Sequence, residues 1–470
     1  MNAADSTSAR ATLVESIPTG LEDLRGTPLI EYTEDVLVRL VRAARSTIDL
    51  TAMYWSLLPN FETEDKGFTQ EKLDEMGAGA GRTLLAALHE AAGRGVRIRI
   101  LESPGFSAAK PESATLKEAF PEQVEIHSIK MGNWYGGGGI MHQKIWIFDG
   151  AHLFLGSANM DWKSITQVKE MGVVVEDCPT LAADATKYFE GWLAFTGLPA
   201  QSALVHDAAA GIDRKVPPWS ALVPADRRAP SPLDHDRYRT TYNLATPLHV
   251  AFGEEHGSVL LTGCPKEVSG PGRSYDGDAL VHTIDEARRT VCVSVMDFAP
   301  VGLYSRVERG KPPAPAGRIP TDTPVWWPAL YSALLAAVMT RKVYVRLLVS
   351  KWGHSSGLLD PYLRSLQHAA DGGRADKYMV AGQLEIKKFV VPGWDSTEGE
   401  KRKYPSHTRV NHTKYIVTER RLNIGTSNMT WDYFTATAGS SFNADHPTLV
   451  RTLQEVFDRD WASTYAYRFT

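Results

Sequence analysis

The sequence predicts an α/β protein built from two homologous halves, each a mixed sheet flanked by helices, with an active site at their interface. Three observations carry this. Short β-branched runs alternate with helices of near-3.6 apolar spacing. The same order of elements occurs twice along the chain. A Pro- and charge-rich stretch at 213–237 divides the chain near its middle. A length of 470 residues exceeds one ordinary domain, and 43% hydrophobic with 23% charged residues excludes wholesale disorder and fibrous repeats. The expected organisation is a flexible segment at 1–13, a first half at 14–212, a linker at 213–237 and a second half at 238–470.

Taken in order, TIDLTAMYW (47–55) reads as a buried strand, LLAALHEAA (84–92) as a helix that Gly95 would close, and VRIRILES (96–103) as the next strand. VEIHSI (124–129) and KIWIF (144–148) complete the first set. The second half repeats it with TVCVSVMDF (290–298), the helix LYSALLAAV (330–338), VYVRLLVS (343–350), LEIKKFVV (384–391) and KYIVT (414–418). Segments 310–328 and 392–406 read as long surface loops, and the latter can hold many of the extra residues of the second half.

The formal net charge of −4 excludes a basic nucleic-acid coat, so any anion site must be local. Cys178, Cys264 and Cys292 lie far apart with no CxxC or Cys/His spacing, which argues against a disulfide framework and a structural zinc. The polar start and the lack of a long apolar run predict a cytoplasmic chain, lysosomal or secreted only if the sequence is a trimmed piece.

The chemistry concentrates in two segments. His142-Gln143-Lys144 with Asp149 precedes Gly156-Ser157-Ala158-Asn159, and His412-Thr413-Lys414 with Glu419 precedes Gly425-Thr426-Ser427-Asn428. Both read H-x-K-x₄-[D/E] and then G-[S/T]-x-N. On a strand, residues i and i+2 share a face, so each His and Lys would enter one pocket. The following turn would return an Asn and a hydroxyl residue to the same end. Lysine and amide donors suit phosphate oxygens. Two imidazoles allow one to attack phosphorus while the other protonates the leaving oxygen. The lysines supply the charge that a metal would bring, so no metal and no cofactor is expected.

These twin motifs resemble the phospholipase D superfamily, and LGSANMDWKSITQVKEMGV (155–173), VRLLVSKWGH (345–354) and RVNHTKYIVTER (409–420) look like its endolysosomal branch, members three and four. The likeness runs from about residue 14 to 470. It implies two phospholipase-D-like halves and a metal-independent phosphodiesterase working through a phosphohistidine. It further implies a 5′-to-3′ exonuclease on single-stranded DNA or RNA, with phospholipase D or transphosphatidylase action on phospholipid headgroups as the alternative. By motif position His142 would be the nucleophile and His412 the general acid, with Lys144, Lys414, Asn159 and Asn428 holding phosphate oxygens. Which histidine attacks stays open. Glu170, at the spacing where relatives orient the nucleophile, favours His142. The second acid is missing, with Ala436 at the expected place, unless Asp432 or Asp445 substitutes. Asp149, Glu419, Ser157 and Ser427 would support the site, the two acids by bonding turn amides or a lysine. No obligatory protein partner is expected. A monomer would be catalytically complete, and dimerisation stays open.

Plainer readings compete. The glycines at 136–139 could admit a substrate chain or form a surface turn, and Trp134 and Tyr135 could stack on a base or pack. Lys401, Arg402 and Lys403 are balanced by nearby acids, which favours a solvated loop. Two N-x-S/T sequons begin at Asn411 and Asn428, inside the motifs, where a glycan would block the pocket.

Overall fold

The computed structural model describes residues 9–108, 110–136, 139–303, 325–374 and 381–469. In the first half, strands β1 (Arg10–Ser16), β2 (Ile30–Tyr32), β3 (Thr47–Ala52), β4 (Arg97–Glu102), β5 (Val124–Ser128), β6 (Ile145–Phe148), β7 (His152–Gly156) and β8 (Glu170–Glu176) form one sheet in the order β2-β1-β8-β7-β6-β3-β4-β5. In the second half, β9 (Leu248–Phe252), β10 (Glu255–Cys264), β11 (Thr290–Val295), β12 (Tyr344–Lys351), β13 (Gln383–Val390), β14 (Lys414–Thr418), β15 (Leu422–Gly425), β16 (Gly439–Ala444) and β17 (Ala466–Arg468) form another, in the order β9-β10-β16-β15-β14-β11-β12-β13-β17.

From β1 to β5 and from β10 to β13 the two sheets have one order and one polarity. β3-β4-β5 and β11-β12-β13 pair in parallel, and the rest of that shared set pairs antiparallel. The parallel strands are joined by crossover helices, which is why their sequences are apolar on both faces. The register equates Thr47 with Thr290 and Arg97 with Tyr344. Likewise Gly156–Gly172 matches Gly425–Ser441, so Glu170 corresponds to Gly439.

Strand alternation sorts side chains between two layers. Leu13, Ile145, Leu155 and Val173 of the first sheet meet Val259, Tyr415, Val417 and Phe442 of the second in one central core. Helices α3 (Pro179–Thr196) and α7 (Pro447–Ala462) complete it through Phe189, Trp192, Leu453 and Phe457. The neighbouring residues Val14, Trp146, Phe154 and Val174 face the other way, under α1 (Thr33–Ala43) and α2 (Gly79–Gly93). Helices α4 (Asp276–Asp285), α5 (Ala329–Met339) and α6 (Leu359–Gly372) cover the second sheet in the same manner through Leu280, Leu334 and Leu366. Gly95, with φ +91°, ends the turn after α2 as its spacing suggested.

A buried ionic group ties the halves together. Lys169 Nζ lies 3.2 Å from Glu15 and 2.7 Å from Asp460, and Arg459 of α7 reaches Glu15 at 2.7 Å. The two cations hold Glu15 below the usual carboxylate range despite its burial. Arg273 pairs with Asp184 of α3 at 2.8 Å.

Some boundaries differ from expectation. β1 begins at Arg10, inside the 1–13 segment read as flexible, because it pairs along its whole length with β8. The 213–237 stretch starts within a hairpin, Ala203–Asp207 with Ile212–Val216. The extra residues of the second half are shared between the 391–411 loop and a longer crossover helix, 14 residues in α6 against 8 at Glu112–Ala119. Most of the 310–328 segment lies outside the described residues. All three cysteines are buried, and none is joined in a disulfide among the described residues. Among the described residues no helix is long and apolar enough to cross a membrane.

Candidate active site

The ends of β6 and β14 meet across the interface. His142 donates its backbone N–H to the Ala438 carbonyl at 2.9 Å, and His412 donates to the Lys169 carbonyl at 2.8 Å. Each histidine backbone is therefore anchored to the opposite half. The rings face one another at 6.4 Å between centroids, nearly perpendicular. Lys144 Nζ donates to the His142 carbonyl at 2.8 Å, and Lys414 Nζ donates to the His412 carbonyl at 2.6 Å. Both ammonium groups are buried within the same pocket, where each keeps donors in excess of that one bond. Burial pushes the Lys144 amine well below its usual range and Lys414 down to about 7. An arriving phosphodiester anion would reverse that shift by pairing with them.

The histidines are oriented differently. His412 Nδ1 lies 2.9 Å from both oxygens of Glu170, which reaches across from the first half. His142 Nδ1 lies 2.9 Å from the Thr426 carbonyl of the second half. A carbonyl only accepts, so Nδ1 of His142 carries the proton and Nε2 keeps its lone pair. Burial and the two lysines hold the His142 pKa well below the ordinary value, and the imidazole is neutral. Burial pushes the Glu170 carboxyl up to about 8, and it accepts from the Ser157 hydroxyl at 2.5 Å. Burial and the lysines also push the His412 imidazole well below its ordinary value, so the proton between its Nδ1 and the raised Glu170 carboxyl belongs to the pair.

This corrects the spacing argument, since Glu170 backs His412 and not His142. The counterpart of Glu170 is Gly439, not Ala436. A Cβ at Gly439 would stand 2.3 Å from Ser427 Oγ and 2.7 Å from Cys264 Sγ. Those two side chains fill the volume that a second carboxylate would need. Neither proposed substitute reaches the ring: Asp432 accepts from Leu303 N at 2.6 Å, and Asp445 accepts from Ser258 N at the far end of β16. The counterpart of Ser157 in the second half is Thr426. Ser427 instead lies against Cys264, 3.8 Å from its sulfur.

Asn159 and Asn428 both reach the pocket end, after β7 and β15. Asn428 donates to Asp297 at 3.0 Å, while the nearest acceptor of the Asn159 amide is the Tyr54 hydroxyl at 3.4 Å. Tyr54 and Asp297 occupy matching positions, seven residues after Thr47 and Thr290. Sequence reasoning passed over both, although aligning TAMYW with SVMDF would have shown them. Tyr433 was missed as well; its ring lies 5.2 Å from that of His142.

Asp149 accepts from the backbone N–H groups of Arg45, Ser46 and Thr47 at 2.8–2.9 Å. Glu419 accepts from those of Arg288 and Thr290 at 2.7 and 3.1 Å. Both acids therefore brace the strand ends away from the pocket. Trp134 and Tyr135 are 2% exposed, with Trp134 packed 4.1 Å from Phe195, so neither is open to a base. Of the glycine run, 137 and 138 lie outside the described residues. Gly139 abuts the Ala436 carbonyl, where a Cβ would come within 2.2 Å. Asn411 and Asn428 are fully buried, which closes both sequons to a glycan. Trp326 is exposed, and Trp327 stacks on Phe434 at 5.0 Å.

Residues 37–193 match the family model described as a cardiolipin synthase, PLD-like domain, and residues 220–394 match the one described as a PLD3/4, PLD-like domain. The 5′-3′ exonuclease PLD3 of Xenopus laevis is 34% identical over 470 residues, covering 98% of this chain and 81% of that protein. Its Homo sapiens namesake is 33% identical over 460 residues, covering 97% and 80%. A probable phospholipase D, F09G2.8 of Caenorhabditis elegans, is 31% identical over 463 residues, covering 98% and 71%. Among solved structures, the phosphatidylserine synthase of Haemophilus influenzae Rd KW20 shares the fold with a TM-score of 0.51 at 11% identity, over 93% of this chain and 85% of that one.

Proposed function

The chain belongs to the phospholipase D superfamily, in the branch of the PLD3-type proteins, and from that premise we propose that it is a 5′-to-3′ exonuclease on single-stranded nucleic acid working through a phosphohistidine. The observation that carries the mechanism is the pair of differently held imidazoles, 6.4 Å apart, beside two buried lysines.

His142 is the nucleophile. Its Nε2 lone pair attacks phosphorus, an N–P bond forms, and the P–O bond to the departing product breaks. His412 Nε2 gives that oxygen a proton, while Glu170 at Nδ1 balances the charge the ring carries. Lys144, Lys414, Asn159 and Asn428 donate to the non-bridging oxygens, whose negative charge grows in the transition state. In the second step His412 takes a proton from water. The water oxygen attacks phosphorus, the N–P bond breaks, and His142 returns to its starting form. The lysines supply the positive charge, so the cycle needs no metal.

The nucleic-acid reading rests on the end-to-end match to relatives named as exonucleases. The test is made in EDTA between about pH 5 and 8, with a 3′-labelled single-stranded oligonucleotide and, separately, phosphatidylcholine vesicles with ethanol. Stepwise shortening that His142→Ala abolishes is the expected result. Phosphatidylethanol without shortening moves the protein to headgroup transfer. Activity in wild type that EDTA removes overturns the metal-free cycle.

A further inference from the structure

The second half carries a cleft of about 700 Å³ at the end of β14 opposite the catalytic lysine, lined by Arg289, Arg346, Arg420 and Arg451 together with Glu419, Asp458 and Asp445, the last of which accepts from the Ser258 N–H. In a chain of net charge −4, four guanidinium groups around one concavity stand out from the composition. The acids do not neutralise them all. Glu419 is spent on the backbone of Arg288 and Thr290. Asp458 is spent on Arg346 at 2.7 Å. The nearest carboxylate oxygen to Arg420 is that of Glu286, at 3.9 Å, and Arg451 bonds the Thr448 hydroxyl at 2.8 Å. Arg289 is exposed and makes no ion pair among the described residues.

The first half is an internal control, because the duplication places a matching residue at each position. Arg346 pairing with Asp458 of α7 repeats Arg99 pairing with Glu190 of α3, and Glu419 repeats Asp149. That framework is shared and structural. The strand registers and the shared Pro-Thr-Leu starts of α3 and α7 put Ser46 opposite Arg289, Gly150 opposite Arg420 and Ala183 opposite Arg451. Arg289, Arg451 and Arg420, the last with only a long ion pair to Glu286, therefore occur on one side only. A framework acid–base pair needs none of them.

From this we infer that the cleft is a second, non-catalytic site for a small, multiply charged phosphate-bearing anion, of di- or triphosphate size. Guanidinium forks match phosphate oxygens bidentately, and three of them suit a run of adjacent phosphates. The volume falls within the ordinary range for small ligands. Aromatic side chains are absent from the lining, so recognition rests on the charged end and not on stacking. The inference goes beyond the catalytic reading and stands without it.

The test is calorimetric titration of inorganic tripolyphosphate into wild type, Arg289→Ala/Arg451→Ala and the exposed-site variant Arg420→Glu. The expected result is an affinity loss of roughly tenfold or more in both variants, with wild-type binding weakened by added salt. Melting temperature and hydrolysis of bis(4-nitrophenyl) phosphate should be unchanged, since none of the substituted residues touches the catalytic pocket. Equal binding by all three proteins would assign the anion to the catalytic lysines and overturn the inference. Failure of wild type to bind overturns it too.

Discussion

The two halves share a sheet order, a strand polarity and a pair of acids that brace strand ends, yet they hold their histidines by different chemistry. His412 rests on a carboxylate from the other half; His142 rests on a peptide carbonyl. The carbonyl fixes a tautomer, and its pull toward the protonated ring is outweighed by burial and the lysines. The carboxylate, itself pushed up to about 8, fixes a tautomer and can exchange a proton with the ring. Of the two matching positions only Glu170 carries an acid and Gly439 has no side chain, which under the proposed cycle separates a ring that stays neutral to attack from one that carries a proton.

The strongest way to break this comparison is to remove each ring in turn. His142→Ala and His412→Ala should each lower turnover by about 10³-fold or more. With an aryl phosphodiester, whose leaving group needs no proton, His412→Ala should still accumulate phosphorus on His142, visible by intact mass. Phosphorus on His412 in His142→Ala would reverse the assigned roles.

Glu170→Gln should cost about 10²-fold in kcat with little change in KM, because the amide cannot balance the imidazolium. The reciprocal change, Gly439→Glu, should not add a second working acid. Its side chain would collide with Ser427 and Cys264, and the protein should lose about 1–3 kcal/mol of stability by denaturant unfolding.

The pH profile of kcat/KM reads the same difference. Burial lowers His142, which stays unprotonated into the acid range, so activity should persist below pH 6.5. Lys414, at about 7, and the Glu170–His412 pair, with Glu170 at about 8, lose protons as pH rises, so activity should fall across that interval. Glu170→Gln should remove the contribution near 8. A profile that rises through pH 8 would contradict the proton inventory. The smallest effect is expected from Thr426→Ser, which keeps the backbone carbonyl beneath His142 and should change kcat by less than about twofold.

Much of this was legible before any coordinates. The strands from TIDLTAMYW to KIWIF and from TVCVSVMDF to KYIVT fell where alternation and β-branching placed them, because buried parallel strands leave so plain a pattern. The meeting of His142 and Lys144 with His412 and Lys414 was legible because an i, i+2 pair on a strand has one geometry. The partner of Glu170 was not, because spacing along one chain carries no record of a side chain crossing between halves. Gly439 was missed for a related reason. Gly439 ends the YFTATAG stretch in which the resemblance put the acid at Ala436, and its place had to be found through the β15–β16 register. Tyr54 and Asp297 went unseen because a tyrosine and an aspartate do not advertise equivalence until the strands are superposed.

The cross-anchoring of the histidine backbones bears on how this protein can be damaged. Under the proposed cycle, a fragment holding a working His142 and Lys144 alone would take up phosphorus and never release it, a dead-end scavenger of substrate. That outcome is closed off here, since His142 takes its position from Ala438 and His412 from Lys169. A proteolytic cut that lets the halves drift apart dismantles both rings together. Under the proposed cycle, halves separated by such a cut are expected to show no turnover.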